Sequence, residues 1–159
     1  MIKIINRKTG KTIIEDKKLS KKELVEKAVR EGISLLFKEL LKKAVEQGVS
    51  LQYADLRGSN LEGSDLYNAD LRNSDLRNSD LRNSDLRYAN LQGANLEGAD
   101  LRDSYLRYAI LKGAILKGAN LEGADLRDSD LKDAKINQDQ LIDLIEAQGL
   151  EIINKKENG

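Results

Sequence analysis

The chain has 159 residues, enough for one cooperative unit, and its 27 basic residues balance 27 acidic ones to no net charge. It contains no Cys, His, Pro or Trp and a single Phe, which excludes a disulfide frame, thiol chemistry and imidazole catalysis. Met1–Ile5 is too short for a signal-peptide core and the remainder is charged throughout, so a cytoplasmic protein without a membrane span is expected.

In chain order, Ile2, Ile4 and Ile5 and then Thr12-Ile13-Ile14 read as two short strands of a β-hairpin, joined by a turn at Thr9-Gly10. Ser20 with Glu23 is a capping-box signature for a helix whose apolar stripe is Leu24, Val25, Ala28 and Val29 and which stops at Gly32. A second helix is predicted over Leu36 to Gln47, with Leu40, Leu41, Ala44 and Val45 as its stripe and Gly48 as its stop. The two helices are copies. Ser20–Leu35 aligned with Leu36–Leu51 gives nine identities in sixteen positions. The duplication fits a bulkier cap, or two docking registers, or exchange of the first copy between two molecules. Since Gly48 runs directly into Val49-Ser50-Leu51, the second copy is expected on the repeats. Docking the first would loop out about 16 residues at an entropic cost.

From Leu51 to Leu131 leucine recurs at every fifth position, and Ile136 continues the series. A period of five matches neither helix nor strand, so it marks an internal repeat. The unit is (Ala/Ser)-(Asp/Asn)-Leu-(Arg/variable)-(Gly/Asn). Leucine and the small residue two places before it can share one interior only if the chain turns once per unit. Gly, Asn or Asp two places after leucine suits such a corner. Tyr53, Tyr88 and Tyr108 at that position resist positive φ and predict a different turn there.

These residues, Val49 to Asn137 with no insertion, closely resemble the pentapeptide-repeat family. The resemblance implies a mainly β fold: a right-handed four-sided β-helix with four units per 20-residue coil. At roughly 4.8 Å per coil it would be a rod on the order of 20 Å long. An α+β N-terminal cap and a short helical C-terminal cap should close its ends. The expected division is residues 1–48 as N-terminal cap, 49–137 as repeats, and 138–159 as a C-terminal helix-strand cap with a frayed tail. There, Asn137 and Gln140 start a helix lined by Leu141, Leu144 and Ile145, Gly149 stops it, and Leu150–Ile153 reads as a strand. That apolar stripe either mediates dimerisation, as in DNA-mimicking relatives, or lies flat on the last coil. From Leu71 to Ser84 the unit Leu-Arg-Asn-Ser-Asp recurs in near-perfect copy, as recent duplication in a phage or bacterial sequence, or consensus-style engineering, would produce.

No Gly-rich phosphate loop or nucleophile elbow occurs, so no enzyme, catalytic residue or cofactor is expected. Asp125, Asp128, Asp130 and Asp133 lack the spacing of a calcium loop and are interleaved with Arg127 and Lys132, so no metal is expected either. Function is therefore sought on the surface. With a 20-residue coil, Arg87, Arg107 and Arg127 form one column and Tyr88 and Tyr108 another. Arginine beside tyrosine could hold a nucleic-acid strand, but Asp85 and Asp125 flank the column, and no nucleic-acid partner is expected. Tyr105, Ile110 and Ile115 replace the usual Asp or Asn before leucine and, with Tyr108, would form an exposed apolar arc, a candidate surface for a protein partner or self-association. The family's quinolone-resistance members inhibit DNA gyrase by mimicking duplex DNA, and Asp70, Asp75, Asp80 and Asp85 are the residues that would serve here. Yet Val49–Ile136 carries 15 acidic against 12 basic residues, and Met1–Gly48 carries 7 against 13. A mimic of this length should carry on the order of ten negative charges. The expected function is a non-enzymatic structural or protein-interaction solenoid, monomeric or dimeric through a cap element, with gyrase inhibition as the alternative.

Overall fold

The computed structural model describes residues 2–5, 12–16 and 34–149. The turn at Thr9-Gly10, the first helix copy, the Leu150–Ile153 strand and the tail from Lys155 lie outside the described residues. Strands β1 (Ile2–Ile5) and β2 (Thr12–Asp16) pair antiparallel, with Ile2 opposite Asp16 and Ile4 opposite Ile14.

Helix α1 spans Ser34–Glu46 and ends as its sequence dictates. Gly48 takes φ +66°, its N–H reaches Val45 O at 2.8 Å, and the Val49 N–H reaches Ala44 O at 2.9 Å. This is a Schellman closure, in which glycine supplies the left-handed residue and the chain leaves the helix with its last carbonyls satisfied. Leu41 and Ala44 are buried in the same core as the repeat leucines, and Val45 packs against it. Two lysines fasten α1 laterally: Lys38 Nζ donates to Glu62 O, and Lys42 Nζ lies 3.2 Å from Asp65 Oδ2. The second copy thus occupies the first coil.

In the repeats every leucine from Leu51 to Leu126 is at most 1 % exposed. Each buried leucine is worth roughly 1.5–3 kcal/mol, so the ladder is the main stabilising element. Coils stack with an offset of 20 residues. Isolated parallel bridges join Asp55 to Asp75, Asn60 to Asp80, Asp65 to Asp85 and Asp70 to Asn90, and continue to Ile115 and Lys135. From Leu51 to Leu116 each leucine N–H reaches the carbonyl 19 residues on, as Leu51 to Asp70 O at 2.8 Å. Four units therefore make one turn with four faces. Among the described residues of this region no continuous strand forms, because a corner every five residues leaves one bridging residue per face. The β character is a stack of single-residue bridges.

All corner residues from Tyr53 to Asp133 hold φ between +55° and +69°, the three tyrosines included: Tyr53 at 61°, Tyr88 at 61° and Tyr108 at 62°. The expectation of a different turn at tyrosine is thereby corrected. The ladder outweighs the local preference: the Tyr88 N–H is tied to Arg107 O at 3.1 Å, and leaving that geometry would break the coil-to-coil register.

At the far end two glutamines replace the missing coil. A 3-10 turn (Gln138–Gln140) leads into α2 (Leu141–Ala147). Buried Gln140 donates through Nε2 to Leu116 O (2.8 Å) and Ala119 O (2.6 Å), and its Oε1 accepts from Gly118 N (3.1 Å) and Asn137 N (2.8 Å). Gln148 Nε2 reaches Leu126 O and Ser129 Oγ, while the Leu126 N–H is received by Ala147 O. Ala147 is buried and Leu144 packs on the core, so α2 lies on the last coil. Leu141, expected on that inner stripe, instead points outward at 48 % exposure beside Ile142 at 55 %. The 3-10 turn rotates the helix so that Leu144 and Ala147, not Leu141, meet the coil.

Candidate functional site

Two local rules build the surface of each unit. The Asp or Asn before leucine accepts the N–H two residues on, as in Arg77 N to Asp75 Oδ1 (3.3 Å) and Glu97 N to Asn95 Oδ1 (3.1 Å). Either side chain can close this Asx turn, which is why both occur. Where the residue after leucine is arginine, the aspartate takes a second task. Arg77 donates through Nε to Asp75 Oδ1 (2.8 Å) and through Nη2 to Oδ2 (2.6 Å), a bidentate fork within one unit.

The same fork joins Arg72 to Asp70, Arg82 to Asp80 and Arg87 to Asp85. These four aspartates, the candidate charged surface, form a ring around one coil with side chains 26–30 % exposed. The guanidinium hydrogen bonds hold their carboxyls below the usual carboxylate range, against a smaller opposing effect of burial. They are ionised, and each is neutralised by its own arginine. Asp100 and Asp125 are held the same way by Arg102 and Arg127. Of Asp125, Asp128, Asp130 and Asp133, three are likewise engaged: Asp125 with Arg127, Asp128 with Arg107, and Asp130 with the Lys132 N–H. Among the described residues no cluster could hold a metal ion.

The apolar candidates fall on three successive faces. Tyr105 bridges Asp85 and Asp125, Ile110 bridges Asn90 and Asp130, and Ile115 bridges Asn95 and Lys135. Tyr105 is 51 % exposed, Tyr108 42 % and Ile110 37 %, with Ile115 half-buried. Tyr108 also joins a column that the sequence only half revealed. Its ring stacks on Tyr88 at 5.0 Å and 19°, and Tyr88 meets Tyr67 edge-on at 5.4 Å. Arg87 lies over the Tyr67 ring at 5.7 Å and Arg107 over Tyr108 at 5.2 Å. Tyr67 was missed because it sits one place after leucine, so neither its unit position nor a difference of 20 links it to Tyr88.

Arg107 departs from the rule. Its unit has Tyr105 where the others have aspartate, so it makes no fork. It donates through Nη2 to Asp128 Oδ2 and to Tyr108 Oη, both at 3.1 Å, and its buried Nε finds no acceptor.

A four-sided coil of five-residue units, with its leucines inside and its Asp, Asn and Arg side chains outside, is a repeat solenoid. The model of pentapeptide repeats (8 copies) matches residues 47–83, 64–103 and 100–138, more than half of the chain, and the protein belongs to the pentapeptide-repeat family. Among solved structures it is similar to HetL, a pentapeptide repeat protein involved in heterocyst differentiation regulation from the cyanobacterium Nostoc, at 36 % identity over 52 % of this chain and 36 % of that one (TM-score 0.44). The chain thus spans little more than a third of HetL. It is also similar to a second Nostoc pentapeptide repeat protein, at 34 % identity over 69 % and 91 % of the two chains (TM-score 0.34). A trypsin-treated form of QnrB1, a plasmid-mediated fluoroquinolone resistance protein, is 24 % identical over 65 % of each chain (TM-score 0.28). No curated protein matches the chain. Among the described residues no helix is long and apolar enough to cross a membrane.

Proposed function

We propose that the protein is a non-enzymatic, right-handed solenoid that works in the cytoplasm by presenting a protein-contact surface. Residues 1–48 and 138–159 close the two ends of repeats 49–137. The observation that carries this reading is the replacement of the usual Asp or Asn by Tyr105, Ile110 and Ile115 in three consecutive units, which leaves Tyr105 and Ile110 exposed and Ile115 half-buried where the repeat otherwise sets a polar side chain. Apolar surface held out to water without need of the fold marks a contact.

The test is affinity capture from a lysate of the source organism with the wild type and with the triple variant Tyr105→Asp, Ile110→Asn, Ile115→Asn, which restores the repeat consensus and should keep the fold. A protein captured by the wild type and lost on the variant, at equal thermal stability, supports the reading. Identical capture by both contradicts it.

The second reading is inhibition of a DNA-handling enzyme by duplex mimicry. It requires unneutralised carboxylates along the rod, whereas Asp70, Asp75, Asp80 and Asp85 each carry a bidentate arginine.

A further inference from the structure

We propose that the belt from Tyr105 to Lys117 binds an acidic, apolar-rich protein segment that wraps around the coil. This rests on the protein-contact reading and names the chemistry of the partner. In every other unit with arginine after leucine, an aspartate two residues earlier grips it in a bidentate fork, as Asp100 grips Arg102 and Asp125 grips Arg127. The units at 105–107, 110–112 and 115–117 invert that rule together: Tyr105 precedes Arg107, Ile110 precedes Lys112 and Ile115 precedes Lys117. Each has a cation without its own carboxylate and an apolar group in the carboxylate's place.

Lys112 and Lys117 are exposed and make no ion pair among the described residues. Arg107 has a single-point ion pair with Asp128 and a hydrogen bond to Tyr108 Oη, but no bidentate fork. Three consecutive faces therefore show one cation and one apolar side chain each, while the surrounding arginines are neutralised. Carboxylates would gain where no fork already exists, and aliphatic or aromatic groups would cover Tyr105, Ile110 and Ile115.

The belt turns two corners, so a flat partner meets one face at a time. An extended or disordered segment can follow it around, burying apolar groups and pairing charges in alternation. Single-stranded nucleic acid shares the charge requirement, but it needs stacking platforms, and isoleucine occupies two of the three apolar positions.

The experiment is a fluorescence-anisotropy titration of the full chain with labelled synthetic peptides in which leucine and phenylalanine alternate with glutamate, with glutamine or with lysine, and with an oligothymidylate matched in charge to the acidic peptide. The expected result is that the acidic peptide binds at least about tenfold more tightly than the other three and that added salt weakens it. Lys112→Glu with Lys117→Glu should reduce that affinity by about tenfold or more, and Ile110→Ser should also reduce it, whereas Arg57→Glu, outside the belt, should not. Circular-dichroism melting checks that each variant is folded. Equal binding of the glutamine peptide, no effect of the belt variants, or tighter binding of the oligothymidylate would overturn the proposal. If the acidic peptide fails but belt-dependent capture persists, only the partner chemistry is wrong. Loss of both removes the contact surface itself.

Discussion

At the scale of single residues, most of the buried serines in the interior are held by a backbone acceptor. Ser59, Ser74, Ser79, Ser84 and Ser104 each donate Oγ–H to the leucine carbonyl three residues back, at 2.5–2.8 Å. Buried Ser64 Oγ has no partner. Ser64→Ala should therefore raise stability by about 1 kcal/mol, while Ser84→Ala, which surrenders a made bond, should not stabilise. Urea unfolding of both variants checks the difference, and equal gains would refute the assignment. The leucine positions are far less tolerant. Leu96→Asp should prevent folding, because a lone buried carboxylate costs several kcal/mol, whereas Arg82→Ala should change stability little because that fork is solvent-screened. Equal melting temperatures for these two variants would contradict the placing of leucine inside and arginine outside.

At the scale of elements, the two ends solve one problem differently. At the start, α1 covers the first coil with Leu41 and Ala44, and Lys38 supplies a donor to Glu62 O. At the finish, Gln140 satisfies three groups of the last coil, Leu116 O, Ala119 O and Gly118 N. Gln140→Ala should accordingly cost about 2–3 kcal/mol and speed amide exchange first in the last coil, while Gln138→Ala, on the exposed side, should be nearly neutral. Uniform exchange across all coils would show that the end is closed by something else. Helix α1 was legible in the sequence because its stripe and terminal glycine obey ordinary helix rules. The glutamine closure was not, since an amide standing in for a missing coil leaves no periodic trace; Gln140 read only as a weak helix start. The outward turn of Leu141 was hidden for a related reason, because a preceding 3-10 turn changes which residues face the coil.

For the whole molecule, the period of five was enough to give the inside and the corners, while the 20-residue coil came from the resemblance to the pentapeptide-repeat family. The tyrosine corners were misjudged because a local preference against positive φ was weighed without the ladder bonds that oppose it. The Asp–Arg forks were invisible as geometry, although the coupling of arginine to a preceding aspartate could have been read from the spacing. Those forks give the rod its pH response. With folded carboxyls of Asp70, Asp75, Asp80, Asp85, Asp100 and Asp125 held below their unfolded values, their contribution is complete above the ordinary carboxylate range of about 4 and is lost as pH falls through the depressed values. The melting temperature should stay level from neutral pH to about 5 and drop below about 4, with a shallower drop in Asp100→Asn, whose amide keeps the Asx turn without titrating. An unchanged acid slope in that variant would deny the fork its role.

The same neutralisation separates a contact solenoid from a duplex mimic, and a gyrase supercoiling assay tests that claim most directly. The account predicts no inhibition at micromolar protein, because the ring of Asp70, Asp75, Asp80 and Asp85 is already paired. Strong inhibition by the wild type that disappears when those four aspartates are changed to asparagine would contradict it.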